Sequence, residues 1–508
     1  MAAAARIQSK RRHGLSKSKI SAFEQCPKRL WLSVHRPELA QFDEGAELRF
    51  AAGHEVGAAA CSLISDGVMV EANPDLAAAV ARTRALLDAG HAAAIFEATF
   101  QHDGVLVRVD ILEPDGAGGW RIAEVKSSTK AKDYHLGDLA TQVWTVRNAG
   151  LSISSAAIRH VDSGFVLTRE GDWEGLFHDV ELLEAIEPIT ADRHLVVAAA
   201  RETLAGPEPA VEVGTHCSAP FACEFAGHCH AALPPGPEWP VTILPNGGGK
   251  RWLELGIVDM HEIDAPALTN KLHRRVHRAT IDDEHYHDVD GARAAMASWT
   301  YPRVWLDFET IAFAVPRWIG TRPYQQVPFQ FSAHVEMADG SVEHRELLSL
   351  DGNDARRACA EALTAQIPGE GTVIAYNASF EKTCIHDLAK AFPDLSEALL
   401  SICDRVVDLL PVAKANWYHR DQRGSWSIKA VLPTVAPHLD YSGLAVKDGA
   451  HAQAAYLEAI ATDTTPARRQ ELADGLRAYC CRDTEAMMVL AARLCGSPPP
   501  PTVGGAGT

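Results

Sequence analysis

The stretch GVLVRVDILEPDGAGGWRIAEVKSS, residues 104–128, is where the fold can first be read. GVLVRVDIL at 104–112 and GGWRIAEVKSS at 118–128 have the apolar alternation of strands, and the Pro-Asp-Gly-Ala-Gly run between them is turn chemistry. The segment therefore reads as a hairpin. Pairing brings Asp110 near Glu124, and a period of two puts Glu124 and Lys126 on one face. Two carboxylates and an ammonium then converge, as phosphodiester hydrolysis requires. Carboxylates hold Mg2+ or Mn2+, the metal polarises phosphate and activates water, and a lysine positions that water or stabilises charge. An ordinary surface salt bridge has the same appearance.

Downstream, WLDFET at 305–310 sets Asp307 and Glu309 two apart on an apolar strand, so both carboxylates face one way. A metal site or an acidic strand end would use that pattern. TVIAYNASFEKTCIHDLAK reads as a strand running into a helix, with Asn377 at the junction and Glu381 in the first turn. GLRAYCCRDTEAMMVL reads as a helix on which Tyr479 and Asp483, four apart, share a face.

Eleven cysteines without export signals point to thiols or metal ligands rather than disulfides. Cys217, Cys223 and Cys229 lie in HCSAPFACEFAGHC with five residues between neighbours, and Cys26 sits far upstream in SAFEQCPKRLWL. Four thiolates suit a [4Fe-4S] cluster or zinc. Zinc sites usually space paired cysteines two to four residues apart, so this spacing favours iron–sulfur. A cluster tying Cys26 to 217–229 would clasp the two ends of one domain.

At 508 residues the chain is too long for one core. No apolar run approaches a membrane span, and the opening MAAAARIQSKRRHG reads as a disordered basic tail over 1–14 rather than a secretory signal. Net charge of −18 excludes a protein that coats nucleic acid non-specifically. Lys10, Arg11, Arg12, Lys17, Lys19, Lys28 and Arg29, against the single acid Glu24, form a local basic run able to line a phosphate track. PPGPEWP at 234–240 and NGGGK at 246–250 divide the chain. The expected organisation is a first domain at 15–232, a linker and helical connector at 233–300, a second domain at 301–495, and a disordered tail at 496–508.

The first half, about Leu15 to His230, resembles the RecB-like branch of the PD-(D/E)xK nucleases, including exonucleases that carry a four-cysteine [4Fe-4S] cluster. The likeness rests on Cys26-Pro27 with the following Lys-Arg-Leu-Trp run, His54 in GHEVG, Asp110, Glu124-Val125-Lys126, Gln142 on the next helix, and the last three cysteines. It implies a restriction-endonuclease-like fold, with His54, Asp110 and Glu124 as metal ligands, Lys126 as catalytic lysine, and Gln142 positioning substrate or water. The relatives often space the last cysteines unevenly, whereas both gaps here are five.

The second half, about 300–495, resembles the DEDD exonucleases of the ribonuclease H-like fold, in the variety with Tyr in the last motif. That implies Asp307, Glu309, Glu381 and Asp483 as ligands to two Mg2+ or Mn2+ ions, with Tyr479 orienting water. Glu381 departs from the expected Asp. The longer run from DFET through PRWIGTRPYQQVPFQFS, YNASFEK, RVVDLLP and GSWSIKAVLP looks like the bacterial family known as domain of unknown function 2779, whose members join this half to a cysteine-bearing RecB-like half. Asp408 and Lys429 fall within the motifs of that resemblance, which holds Asp408 as a reserve acidic ligand; ordinary turn or surface roles suit both residues as well.

These readings predict an α/β chain of two nuclease domains: a cytoplasmic, metal-dependent phosphodiesterase acting on nucleic acid, DNA in preference to RNA, without membrane attachment. Protein partners are not specified by the sequence. Two rivals stand beside it, a nucleic-acid-binding iron–sulfur adaptor with inactive centres and a redox protein. No flavin or nicotinamide fingerprint accompanies the cysteines in support of the latter.

Overall fold

A computed structural model describes residues 14–42, 45–71, 75–91 and 93–498, an α/β chain. It divides into two compact units, Met1–Pro234 with Phe313–Gln325, and Pro235–Ala312 with Gln326–Thr508. The tail expected at 1–14 lies outside the described residues except for Gly14, and that at 496–508 does so from 499 onward. No helix among the described residues is long and apolar enough to cross a membrane.

In the first unit the strands are β1 Leu15–Ser16, β2 Val68–Met69, β3 Ile95–His102, β4 Val105–Pro114, β5 Trp120–Lys126, β6 Ile153–Val161 and β7 Phe177–Glu181. They form one mixed sheet in the order β2-β3-β4-β5-β6-β7, with β1 alongside β4. Its helices are α1 Lys17–Gln25, α2 Pro27–His35, α3 Gly45–Ser62, α4 Leu76–Asp88, α5 Asp133–Asn148, α6 Leu183–Ala191, α7 Arg193–Ala205 and α8 Ala226–Ala231. The alternation read in 104–128 divides the strands between two layers. Leu112 and Ile122 join Leu139, Val143 and Val146 of α5, while Ile111 and Ala123 meet Ala60 of α3 on the other face. Ser16 caps α1 by accepting from the Lys19 amide, which fixes where α1 leaves β1.

The second unit contains β8 Tyr286–His287, β9 Arg303–Ile311, β10 Val327–Glu336, β11 Val342–Leu348, β12 Thr372–Ala375, β13 Val406–Asp408 and β14 Trp417–Tyr418. Its helices are α9 Lys250–Glu254, α10 Lys271–Ile281, α11 Val289–Met296, α12 Arg356–Gln366, α13 Ser379–Ala391, α14 Ser396–Asp404, α15 Leu409–Asn416, α16 Ile428–Val435, α17 Gly449–Ile460 and α18 Pro466–Leu494. Five strands run in the order β11-β10-β9-β12-β13, with β10 antiparallel to both its neighbours and β9, β12 and β13 parallel. Leu306 and Phe308 of β9 turn towards α12, α13 and α14, so Asp307 and Glu309 turn the other way, to the face covered by α18. Gly371 enters β12 at a φ of 84°, in the left-handed region, with Pro302 oxygen 2.0 Å from where a Cβ would sit; only glycine fits there.

Two boundaries differ from those expected. Residues 233–300 are no free-standing connector: Trp239, Val241, Trp252, Met260, Val276 and Trp299 share one core with Trp305, Trp417 and Leu490 of the second unit. Apolar side chains of this size cannot be buried by a few short helices alone. Residues 313–325, expected inside the second domain, belong to the first unit instead. Ala314 and Val315 pack with Val56, Val161 and Leu176, Leu167 donates its amide to Thr321 oxygen at 3.0 Å, and the Tyr324 hydroxyl donates to Ser127 oxygen.

Candidate metal centres

β4, β5 and α5 build the first centre. Asp110 lies one step past the Ile111–Ala123 pair and accepts the Val125 amide at 2.7 Å, which fixes its carboxylate beside Glu124. Glu124 is buried and takes hydrogen bonds from Lys126 at 2.8 Å and from the Gln142 amide. Lys126 also reaches Asp138 at 3.2 Å. Asp110, Glu124, Lys126 and Gln142 are thus brought together. His54 is not: it is exposed on α3 and makes no hydrogen bond or ion pair with either carboxylate among the described residues.

Two members of this cluster are absent from the sequence reading of the centre. Lys17, at the start of α1, forms an ion pair with Glu124. Asp138 on α5 takes Lys126 on one oxygen and the Ser21 hydroxyl, at 2.6 Å, on the other. Asp138 stands four residues before Gln142, a helical spacing that would have put both on one face. Lys17 was visible only as part of the basic run. Of the other described cations of that run, Lys28 pairs with Glu208 at 2.8 Å, Arg29 pairs with Glu224 at 2.9 Å, and Lys19 donates to the Gly14 carbonyl at 2.8 Å, while Lys10, Arg11 and Arg12 lie outside the described residues.

The electrostatics divide the two acids. Burial, and then the Glu124 charge, push Asp110 up to about 8. Burial would also raise Glu124, but Lys17 and Lys126 outweigh it and hold that carboxyl well below its usual range. Lys126 is held above its ordinary value because Glu124 and Asp138 outweigh the opposing effect of burial. An oxygen of Gln142 is buried with no hydrogen-bond partner, so the cluster has an open acceptor as well as charge. This donor set fits a hard divalent ion.

The second centre draws on β9, α13 and α18. Asp307, Glu309 and the Cys480 thiol offer atoms all within 4.8 Å of one another. Glu381 enters from the first turn of α13, after Asn377 turns the chain at a left-handed φ of 67° with its amide donated to Asp408 at 3.0 Å. Asp483 accepts the Tyr441 hydroxyl at 2.6 Å, and Lys429 donates to the Tyr479 hydroxyl at 3.0 Å. Asp408, the reserve ligand, caps α15 through the Leu410 amide at 2.9 Å. The sequence reading missed Tyr441 and Cys480, and nothing in their local spacing marks them.

Asp307, Glu309, Glu381 and Asp483 are each driven towards the neutral form. Burial and then Asp483, Glu309 and Glu381 raise Asp307 well above the carboxylate range. Burial and Asp483 bring Glu309 to about 8; burial brings Glu381 to about 7 and Asp483 to about 6. The Tyr441 hydrogen bond, and then the Lys429 charge, moderate Asp483. One oxygen of Glu381 is buried and unpartnered. Like-charged oxygens that repel one another, with one left unsatisfied, fit a bound divalent cation.

Cys26, Cys217, Cys223 and Cys229, all free thiols, line one small pocket with Leu32, Phe225, Lys28 and Arg29. The Cys223 amide donates to Cys217 oxygen at 2.8 Å, closing the loop that presents both. Burial raises the Cys223 and Cys229 thiols, so the pair is held protonated unless a metal takes the sulfurs. Four cysteines lining one pocket beside two cations match the ligand number of an iron–sulfur cluster or a zinc ion, although no three of their sulfurs lie within 4.8 Å of one another.

Residues 304–427 match the model of a family described as Domain of unknown function (DUF2779). The matched span includes Asp307, Glu309, Glu381 and Asp408 and stops short of Lys429, Tyr479 and Asp483. No curated protein matches the chain.

Proposed function

We propose that this chain is a cytoplasmic metal-dependent nuclease acting on DNA in preference to RNA. It has a RecB-like PD-(D/E)xK centre at Asp110, Glu124 and Lys126 and a DEDD-type, ribonuclease H-like centre at Asp307, Glu309, Glu381 and Asp483. The observation that carries this reading is the second centre: four mutually repelling, largely buried carboxylates on three elements, one with an unsatisfied oxygen. The mixed five-stranded sheet beneath it is consistent with the fold named.

Those carboxylates would hold Mg2+ or Mn2+, which when bound would supply polarisation of the phosphate and activation of water. The chain's residues do the rest. Lys429 holds the Tyr479 oxygen, so the phenol hydrogen is directed to Asp483 and the hydroxyl stays protonated beside the acids. Tyr441 anchors the other side of Asp483. In the first centre Lys126 keeps its proton across the neutral range and faces the cleavage site as a fixed positive charge, while Gln142 orients Glu124. A [4Fe-4S] cluster at the four cysteines would be structural, joining α2 to the 217–229 segment.

The test is oxygen-free purification followed by cleavage of labelled single- and double-stranded DNA and RNA with Mg2+ or Mn2+, comparing wild type, Lys126→Ala, Asp307→Ala and the double mutant. Partial loss in each single mutant and complete loss in the double is the expected result. A second reading, a nucleic-acid-binding adaptor, is favoured by one observation: the Lys17 ammonium already sits against Glu124, where a divalent ion would act. Strand binding without turnover in saturating Mn2+ would establish that reading and end the first.

A further inference from the structure

A different set of metal-ligating side chains meets on β10, β11 and α18. His334 and His344 are opposite one another across the antiparallel ladder, their ring centroids 4.7 Å apart. One nitrogen of each ring and the Cys481 sulfur lie within 4.8 Å of one another. His334 is buried; His344 and Cys481 are half-buried. Burial, and for His334 also the neighbouring ring, holds both imidazoles neutral, His334 down at about 3.

Hydrogen-bond accounting then fixes the tautomers. The Thr484 hydroxyl has one hydrogen, which its contacts with the backbone oxygens of Cys481 at 3.0 Å and Cys480 at 3.4 Å require, since a carbonyl only accepts. Thr484 oxygen therefore accepts from His334 Nδ1 at 2.8 Å and from the Ser332 hydroxyl at 2.9 Å. Ser332, its own hydrogen so committed, accepts from His344 Nε2 at 2.8 Å. A single assignment satisfies every contact: it protonates His334 at Nδ1 and His344 at Nε2, and leaves lone pairs on His334 Nε2 and His344 Nδ1. Metal-binding histidines share this pattern, one ring nitrogen fixed by an acceptor, so ligation here would fall to His334 Nε2 and His344 Nδ1.

We propose that His334, His344 and Cys481 bind a zinc-type divalent cation at a structural site separate from both acidic centres. Two imidazoles and a thiolate suit Zn2+, whereas Mg2+ takes oxygen ligands. Binding forms one sulfur and two nitrogen bonds to the ion and releases the Cys481 proton to solvent; nothing is oxidised. Three protein ligands leave a fourth position for water. The ion ties α18 to β10 and β11, and because α18 also carries Tyr479 and Asp483, it fixes the helix that completes the second centre.

The full-length protein, treated with a chelator and desalted, is titrated with Zn2+ against a chromophoric competitor, and separately with Co2+ as an optical probe. Wild type is expected to take up one more equivalent than Cys481→Ala or His344→Ala, with stronger sulfur-to-cobalt charge-transfer absorption than Cys481→Ala. His344→Cys, which replaces one ligand with another, is expected to keep the equivalent. The acidic centres and the four-cysteine pocket are unaltered in every form, so they cancel in the comparison. Should Cys481→Ala fail to fold by circular dichroism, His344→Ala against His344→Cys decides. Equal uptake by wild type and the ligand-deleted variants, with unchanged cobalt spectra, overturns the proposal and leaves a hydrogen-bonded histidine pair. None of these readings depends on cleavage, so they stand or fall apart from the nuclease reading.

Discussion

On the proposed metal reading Lys17 would set the behaviour of the first centre, because its ammonium occupies the Glu124 oxygen that a divalent ion would need. Removing a unit charge at contact distance in a partly screened site changes a cation's binding by about 1 to 4 kcal/mol. Lys17→Gln, made together with Asp307→Ala to silence the second centre, is therefore expected to tighten Mn2+ binding about tenfold or more, read by isothermal titration; unchanged or weaker binding would make Lys17 a supporting residue and not a competitor. Asp307 yields a prediction of opposite signs. On the proposed nuclease reading Asp307→Asn removes a metal ligand as well as one member of a mutually repelling set, so cleavage by the second centre should fall by at least about 100-fold. The metal-free protein at pH 8 should meanwhile gain about 1 kcal/mol in denaturant unfolding. A variant that loses both activity and stability would mean that Asp307 is held by contacts other than those described. Glu124, Lys126, Asp307 and Glu309 were legible because strand alternation over one or two residues dictates which side chains share a face. Lys17 was not, since it meets Glu124 across 107 residues and no local period encodes that pairing.

At the scale of elements, α18 carries three separate tasks: Tyr479 and Asp483 towards the acids, Cys481 towards the paired histidines, and Leu476, Met487 and Leu490 into the core. Its Tyr479–Asp483 face was read from helical spacing, whereas its start, where the Thr465 side chain caps the helix ahead of Pro466, was passed over. What completes that face comes from elsewhere. Tyr441, in the segment between α16 and α17, donates to Asp483 and holds it lower than burial alone would. Tyr441→Phe should accordingly raise the pH at which the second centre reaches half-maximal rate and cost about 1 to 2 kcal/mol of stability, with substrate KM little altered. An unshifted pH profile would show that Asp483 does not limit ionisation of the centre. The hairpin at 104–128 and the strand at 303–311 were equally plain from pattern. The assignment of 235–300 to the second core and of 313–325 to the first unit was not, because both depend on which distant apolar surface each segment covers, and alternation is silent on that.

For the molecule as a whole, the raised carboxyls make stability depend on pH in a direction opposite to that of most proteins. In the unfolded chain these acids ionise near 4; in the folded, metal-free second centre Glu381 does so near 7, Glu309 near 8, and Asp307 well above the ordinary range. Between those limits the folded state binds more protons than the unfolded one. Their stabilising contribution is thus complete below about 4 and is lost as pH rises through 7 to 8, by roughly 1.4 kcal/mol per pH unit for each carboxyl still protonated. Asp110, near 8, acts in the same direction in the first unit. His334 and His344, kept neutral by burial, act the opposite way, but only below the ordinary histidine range, so the window from pH 6.5 to 8.5 reports the acids. Divalent ions bind only the ionised carboxylates and stabilise by mass action, more strongly where deprotonation has already occurred. Calorimetry of the full chain should therefore give a Tm that falls from pH 6.5 to 8.5 in EDTA, and a Mn2+-induced rise in Tm that is larger at pH 8.5 than at pH 6.5. A metal-free Tm that is flat or rising across that window would mean that the carboxylates are already compensated within the protein, and the argument that they require a cation would fail with it.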